Sequence, residues 1–160
     1  MQLPRIEVRS SAIAGQGVFT LEPLRPGRIV CLWPVGAKLI TEAQFLAGIA
    51  AEDPAITRTA IRCLGGYFVY TDQVFSTDYF NHSFEPNCLV HCGVVLCRHE
   101  LPAGAELTVD YRTLVDATDL GVYHDSATGR EIRGFTARET ALRTARELIA
   151  LLESQPDWEG

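Results

Sequence analysis

Apolar and polar positions along this chain change over in short runs, with little helical periodicity before the last quarter. Residues 5–9, Arg5-Ile6-Glu7-Val8-Arg9, alternate with a period of two and predict a half-exposed strand. Gly15 and Gly17 turn the chain before Val18-Phe19, and Pro26-Gly27 turns it again before a strand predicted from Arg28 to about Trp33. Thr41 with Gln44 three residues on is a capping-box pattern. Phe45, Leu46 and Ile49 follow at helical spacing, so a helical insert is predicted around 41–52. Residues 56–71 read as two β-rich runs around Gly65-Gly66, a hairpin. Residues 89–100 predict one strand, or two broken at Gly93, and Pro102-Ala103-Gly104 turns into a short strand at 106–111. The period changes after Thr136, which with Glu139 forms a second capping box. Ala141, Leu142, Ala145, Leu148, Ile149 and Leu152 then fall on one stripe, with Glu139–Arg143 and Arg143–Glu147 pairs opposite, predicting a helix over 137–153. Many short strands with one inserted and one terminal helix make a mainly β protein.

Length and composition narrow the class. The 160 residues, 47 % apolar and 21 % charged, can bury a core without disulfides or metal. No apolar run approaches the roughly 20 residues of a membrane span, and residues 1–5 carry no signal-peptide pattern, so a soluble cytoplasmic protein is expected. The net charge of −6 serves solubility and favours basic partners such as Lys/Arg-rich tails. No stretch concentrates Lys and Arg, and Lys38 is the single lysine, which argues against direct nucleic-acid binding. Five cysteines, Cys31, Cys63, Cys88, Cys92 and Cys97, point to free thiols. None stands in a Cys-x-x-Cys pair, and Cys92 and Cys97 fall in a strand-like run where they would face opposite ways. Buried small side chains are therefore favoured over metal ligands.

Three stretches carry candidate chemistry: Gly15-Gln16-Gly17; Asn81-His82-Ser83-Phe84-Glu85-Pro86-Asn87; and Gly104-Ala105-Glu106-Leu107-Thr108-Val109-Asp110-Tyr111. Singly these are a turn, a polar loop and a strand end. The glycine pair lacks the third glycine and following helix of a dinucleotide-binding fingerprint. In this order and spacing they resemble the SET-domain family of protein-lysine methyltransferases, over about residues 5–113.

The resemblance implies a β-clip-like fold of several small curled sheets with a knot-like core. In it a late segment lies beside the Asn-His stretch. It places the catalytic domain at 5–115 and a flanking segment at 116–160. The implied cofactor is S-adenosylmethionine, its methionine end against the backbone of Gly15, Gln16 and Gly17, where missing Cβ atoms permit close approach. Asn81 would meet its polar groups through the side-chain amide and His82 through the backbone, the His82 side chain keeping a structural hydrogen bond. Tyr111 matches the family's catalytic tyrosine, and the implied substrate is an accessible lysine of a protein, with a basic tail favoured. Trp33, Tyr79, Val109 and Tyr123 are candidates for the lysine channel, with core packing as the alternative for the aromatics.

The chain departs from the pattern in three places. Many relatives carry zinc-binding cysteines after the catalytic tyrosine; residues 123–135 hold none, so no zinc is expected and the terminal helix would supply packing. Val109 is smaller than the aromatic many relatives place there, which predicts a roomier channel and more than one methyl added. Asp78 stands where relatives often have Arg. Two further readings stay open from the residues: a non-catalytic SET-like module that binds peptide or S-adenosylmethionine, and a thiol or metal protein using Cys88, Cys92 and Cys97.

Overall fold

The computed structural model describes residues 2–32, 36–115 and 123–155. Its elements in chain order are β1 (Ile6–Ser10), β2 (Gln16–Thr20), β3 (Ile29–Leu32), β4 (Lys38–Thr41), α1 (Glu42–Ala50), α2 (Pro54–Thr59), β5 (Ile61–Leu64) and β6 (Tyr67–Tyr70). There follow β7 (Asn81–His82), β8 (Cys88–His91), β9 (Val94–Cys97), β10 (Glu106–Val109), β11 (Tyr123–His124), β12 (Glu131–Ile132) and α3 (Ala137–Glu153). The strands make four small sheets, ordered β1-β2-β10-β7, β3-β9-β8, β4-β6-β5 and β11-β12. The mainly β class with a C-terminal helix is as the pattern predicted.

The arrangement that positions the site is the first sheet. β10 runs antiparallel to β2, with Leu107 opposite Val18, and parallel to β7, with Thr108 opposite Asn81 and Val109 opposite His82. A late strand is thereby seated between the glycine stretch and the Asn-His stretch. Successive strand residues face opposite ways, so Leu107 and Val109 share one face while Glu106 and Thr108 share the other. The first face is core: Val18, Val30, Phe80, Cys88, Val95, Cys97, Leu107 and Val109 pack into one cluster. Burying each large member fully stabilises the fold by about 1.5–3 kcal/mol.

Several elements differ from the sequence expectation. Residues 56–59, the start of the run read as β-rich, belong instead to the helix α2. Asp53 accepts from Ala55 N at 2.9 Å and Pro54 occupies the first turn, so start signals override β propensity. Ile56 then packs with Phe45 of α1 and Phe68 of β6, whose rings stack at 4.0 Å, in a second core cluster. The hairpin around Gly65-Gly66 forms, but from β5 onward. Residues 88–97 are two strands, and Cys92 lies in their turn rather than on a strand face. Cys92 and Gly93, with φ of 49° and 82°, make the left-handed two-residue connection that suits the strand twist. The strand predicted at 106–111 is β10 and stops at Val109, because Asp110 accepts from Arg112 N at 3.0 Å and starts a short 3-10 turn over Tyr111–Thr113.

α3 forms with its capping box: Thr136 Oγ1 accepts from Glu139 N at 3.3 Å and Glu139 Oε2 accepts from Thr136 N at 3.0 Å. Its buried face is shifted from the predicted stripe, of which Ala141, Ala145 and Leu148 are half-buried. Thr140, Thr144 and Leu151 are buried, while Leu142, Ile149 and Leu152 are 43, 54 and 37 % exposed. The contact with the sheet is partly polar. His91 Nδ1 lies 2.9 Å from Thr144 Oγ1, which itself donates to Thr140 O at 3.0 Å. The Thr144 hydroxyl, satisfied in this way, buries without leaving a free donor, whereas Thr140 Oγ1 is buried with no partner among the described residues; hydrophobicity alone did not locate this face.

Candidate active site

Asn81, His82 and Tyr111 come together on one wall of a cavity of about 100 Å³, with Ile13 and Ala14 beside them and Tyr123, Asp125 and Ile132 closing it from the β11–β12 hairpin. Tyr111 is fixed at two points. Its backbone N donates to His82 Nδ1 at 3.1 Å, and its hydroxyl donates to the Phe80 carbonyl at 2.7 Å. Burial pushes the Tyr111 hydroxyl above its ordinary range, with Tyr123 adding to the effect, so the phenol keeps its proton.

His82 plays the structural part expected of its side chain. Because Nδ1 accepts from Tyr111, the neutral ring carries its proton on Nε2, and that atom is buried without a partner among the described residues. Burial lowers the imidazole's pKa against the opposing pull of Asp110 and Asp125, and the ring packs edge-on against Phe84 at 4.5 Å. Asn87 ties the same loop to β10: its Oδ1 accepts from Thr108 N at 2.8 Å and its Nδ2 donates to Glu106 O at 2.7 Å.

Asn81 is held more tightly than its motif suggests. Its Nδ2 donates to Glu106 Oε1 at 2.7 Å, Gln16 O at 3.0 Å and Ala14 O at 3.2 Å. Glu106 also accepts from Ser11 Oγ, at 2.7 and 2.9 Å to its two oxygens. This carboxylate was missed as a site residue, though it lies inside the third motif. The usable signal was parity, since Glu106 shares the Thr108 face that meets Asn81. The glycines change meaning as well. A Cβ on Gly17 would stand 2.3 Å from Glu106 Oε1, whereas Gly15 has open space and a φ of +47°. Gly17 therefore makes room for Glu106, while Gly15 takes the positive φ of the turn and has open space beside it.

The channel candidates separate. Tyr123 lines the cavity and is 46 % exposed. Tyr79 ends a 3-10 turn, 37 % exposed, away from the cavity lining, and Asp78 in that turn accepts from Phe75 N at 2.7 Å. Val109 is 1 % exposed in the main core because it shares the Leu107 face, so its position gives no support to a channel widened there. Trp33 lies outside the described residues.

The β11–β12 hairpin is held by stacked charge. Arg130 lies 4.0 Å over Phe84, Arg112 lies 4.9 and 5.1 Å over Phe84 and Phe135, and Arg143 lies 4.3 Å over Phe135. This alternation joins the hairpin, the polar loop, the Tyr111 turn and α3. Asp125 N donates to Arg130 O and Gly129 N to Asp125 O, both at 2.8 Å, closing the hairpin's own turn. Cys31, Cys88 and Cys97 are buried in the core, and burial raises all three thiols, Cys31 to about 12. Among the described residues no three His, Cys, Asp or Glu side chains cluster to hold a metal.

A family model for the SET domain matches residues 15–112, more than half of the chain. The chain belongs to the SET-domain family. Members are in general S-adenosylmethionine-dependent methyltransferases, and the superfamily is one of lysine methyltransferases. No curated protein matches the chain. The residues of this SET domain are compatible with such a cofactor: Asn81 Oδ1 has no protein donor among the described residues, which leaves an acceptor at the cavity wall. No helix among the described residues is long and apolar enough to cross a membrane.

Proposed function

We propose that this SET domain transfers a methyl group from S-adenosylmethionine to a lysine ε-amine of a protein substrate. The observation that carries the reading is the Tyr111 hydroxyl, whose proton is committed to the Phe80 carbonyl at 2.7 Å on the cavity wall shared with Asn81 and His82. S-adenosylmethionine supplies, when bound, a methyl carbon made electrophilic by its sulfonium.

The chain's own groups supply the rest. With its proton spent, Tyr111 oxygen presents lone pairs, suited to accept from an amine N–H or to favour positive charge beside it. A free lysine has a pKa of about 10.4, so presenting it neutral at pH 7 costs about 4–5 kcal/mol. Apolar surroundings such as Ile13 and Ile132 lower that cost by disfavouring the ammonium. Alignment of amine and methyl supplies the remainder. The net charge of −6 favours a basic substrate tail. The setting we propose is the cytoplasm, where five free cysteines stay reduced.

One observation favours the non-catalytic module as a second reading: the cavity of about 100 Å³ is below the roughly 300 Å³ usual for a small-molecule site. The enzyme reading requires the β11–β12 hairpin to yield or the ligand to extend past the cavity mouth. Incubation with labelled S-adenosylmethionine and a panel of basic proteins, followed by mapping of the product, separates the two. Label on a lysine ε-amine is expected; cofactor binding without transfer to any protein would favour the module.

A further inference from the structure

We propose that Glu106 is a positioning residue for the cofactor's amino-acid end, acting through Asn81. The proposal rests on the methyltransferase reading and adds a residue that the reading does not use.

An NH2 group has two protons, and Asn81 Nδ2 already faces three acceptors: Glu106 Oε1 at 2.7 Å, Gln16 O at 3.0 Å and Ala14 O at 3.2 Å. Turning the amide over would set its oxygen against two carbonyls and a carboxylate. The amide therefore has one orientation, and Glu106 makes the shortest of the three bonds. Asn81 is 8 % exposed, yet its Oδ1 is not among the buried atoms left without partners, so it keeps access to the cavity that Asn81 lines. With one amide proton on Glu106, the Ala14 and Gln16 carbonyls share the other, and Oδ1 is the end of the amide left to accept from a ligand. An acceptor held by a carboxylate suits a cationic donor, and the cationic donor of an amino acid is its α-ammonium group.

Glu106 also holds the loop beside Asn81. Ser11 Oγ donates to it at 2.7 and 2.9 Å and accepts from Ile13 N at 2.8 Å, so one carboxylate fixes both the Asn81 amide and the loop carrying Ile13 and Ala14. The space it fills is the one a Gly17 side chain would take, with Oε1 2.3 Å from that Cβ position.

Calorimetry with two probes tests the role. S-adenosylhomocysteine carries the α-ammonium; 5′-methylthioadenosine keeps the nucleoside and thioether without it. Loss of a charge-assisted bond of this kind is about a tenfold effect or more. Glu106→Ala is expected to weaken S-adenosylhomocysteine about tenfold and methylthioadenosine less than about twofold. Glu106→Gln, whose carboxamide oxygen still accepts from Asn81, is expected to recover part of the loss and fall about threefold on the same ratio. Equal weakening of both probes in Glu106→Ala marks a merely structural role and overturns the proposal, as does no weakening. If Glu106→Ala does not fold, an unchanged ratio in Glu106→Gln overturns it. If the wild-type protein binds neither probe, the methyltransferase reading falls and takes the inference with it.

Discussion

Phe84→Leu isolates what holds the β11–β12 hairpin against the site. Leucine keeps most of the buried apolar surface at this half-buried position but has no ring face or edge. The variant loses the Arg130 contact at 4.0 Å, the Arg112 contact at 4.9 Å and the edge-on His82 contact at 4.5 Å. Cation–π contacts at exposed sites contribute about 0.5–1 kcal/mol each, and an aromatic edge contact about 0.5–1.5 kcal/mol. The global loss is then about 2 kcal/mol, a drop in Tm of about 4–8 °C for a chain of this size. The hairpin itself loses only the Arg130 share, about 0.5–1 kcal/mol, because Arg130 is the stack member on it. Native-state hydrogen exchange resolves the two. The Asp125 and Gly129 amides, whose bonds close the hairpin turn, are expected to exchange about two- to fivefold faster under conditions where the core amides stay protected. Unchanged exchange at Asp125 and Gly129, with a lowered Tm, would refute the assignment of the stack as the hairpin's anchor.

Three other perturbations give separate readouts. Gly17→Ala must displace the Glu106 carboxylate, breaking bonds to Ser11 and Asn81. A loss of about 2–4 kcal/mol in a denaturant melt is expected, against about 1–2 kcal/mol for Gly15→Ala, whose φ of +47° is its sole obstacle; equal costs would contradict this. Burial holds the His82 pKa below its unfolded value of about 6.5, so the unfolded chain takes up the proton first as pH falls. Its contribution to stability is present above that value and is lost on the way down to the folded one, with Asp110 and Asp125 opposing and Arg112 reinforcing the shift. The decline of Tm from pH 7 to 5 should flatten in His82→Asn; an identical slope would count against the assignment. A thiol reagent followed by peptide mass mapping should label exposed Cys92 first and Cys63 next, leaving Cys31, Cys88 and Cys97 intact until unfolding; early labelling of Cys88 or Cys97 would show the core to be open.

What the sequence made legible was local in its physics. The capping boxes at Thr41 and Thr136 need only side chains three residues apart, and both form. The three motifs converge because β10 pairs with β2 on one side and β7 on the other, a placement their order and spacing implied through family resemblance. What failed depended on partners far along the chain. α3 turned Thr144 inward, where His91 offers a polar contact to a side chain that hydropathy scores as surface. The contact that requires a glycine at 17 was invisible because Glu106, which fills the space of its Cβ, is 89 positions away. Val109 was placed by motif offset when the period-two rule, applied from Leu107, sets it in the core. Asp53-Pro54 was a plain helix start that the β-branched residues after it obscured.

The Tyr111 hydroxyl is the group on which the proposed methyl transfer most depends. Methyl transfer from labelled S-adenosylmethionine to a substrate lysine should be compared for wild type and Tyr111→Phe, alongside calorimetry with S-adenosylhomocysteine. Removing one preorganised group of this type costs about a hundred- to a thousandfold in rate. The expected result is that loss in kcat with cofactor affinity held within about twofold. Equal rates from the two proteins, or no transfer by the wild type under conditions where it binds S-adenosylhomocysteine, would contradict the account.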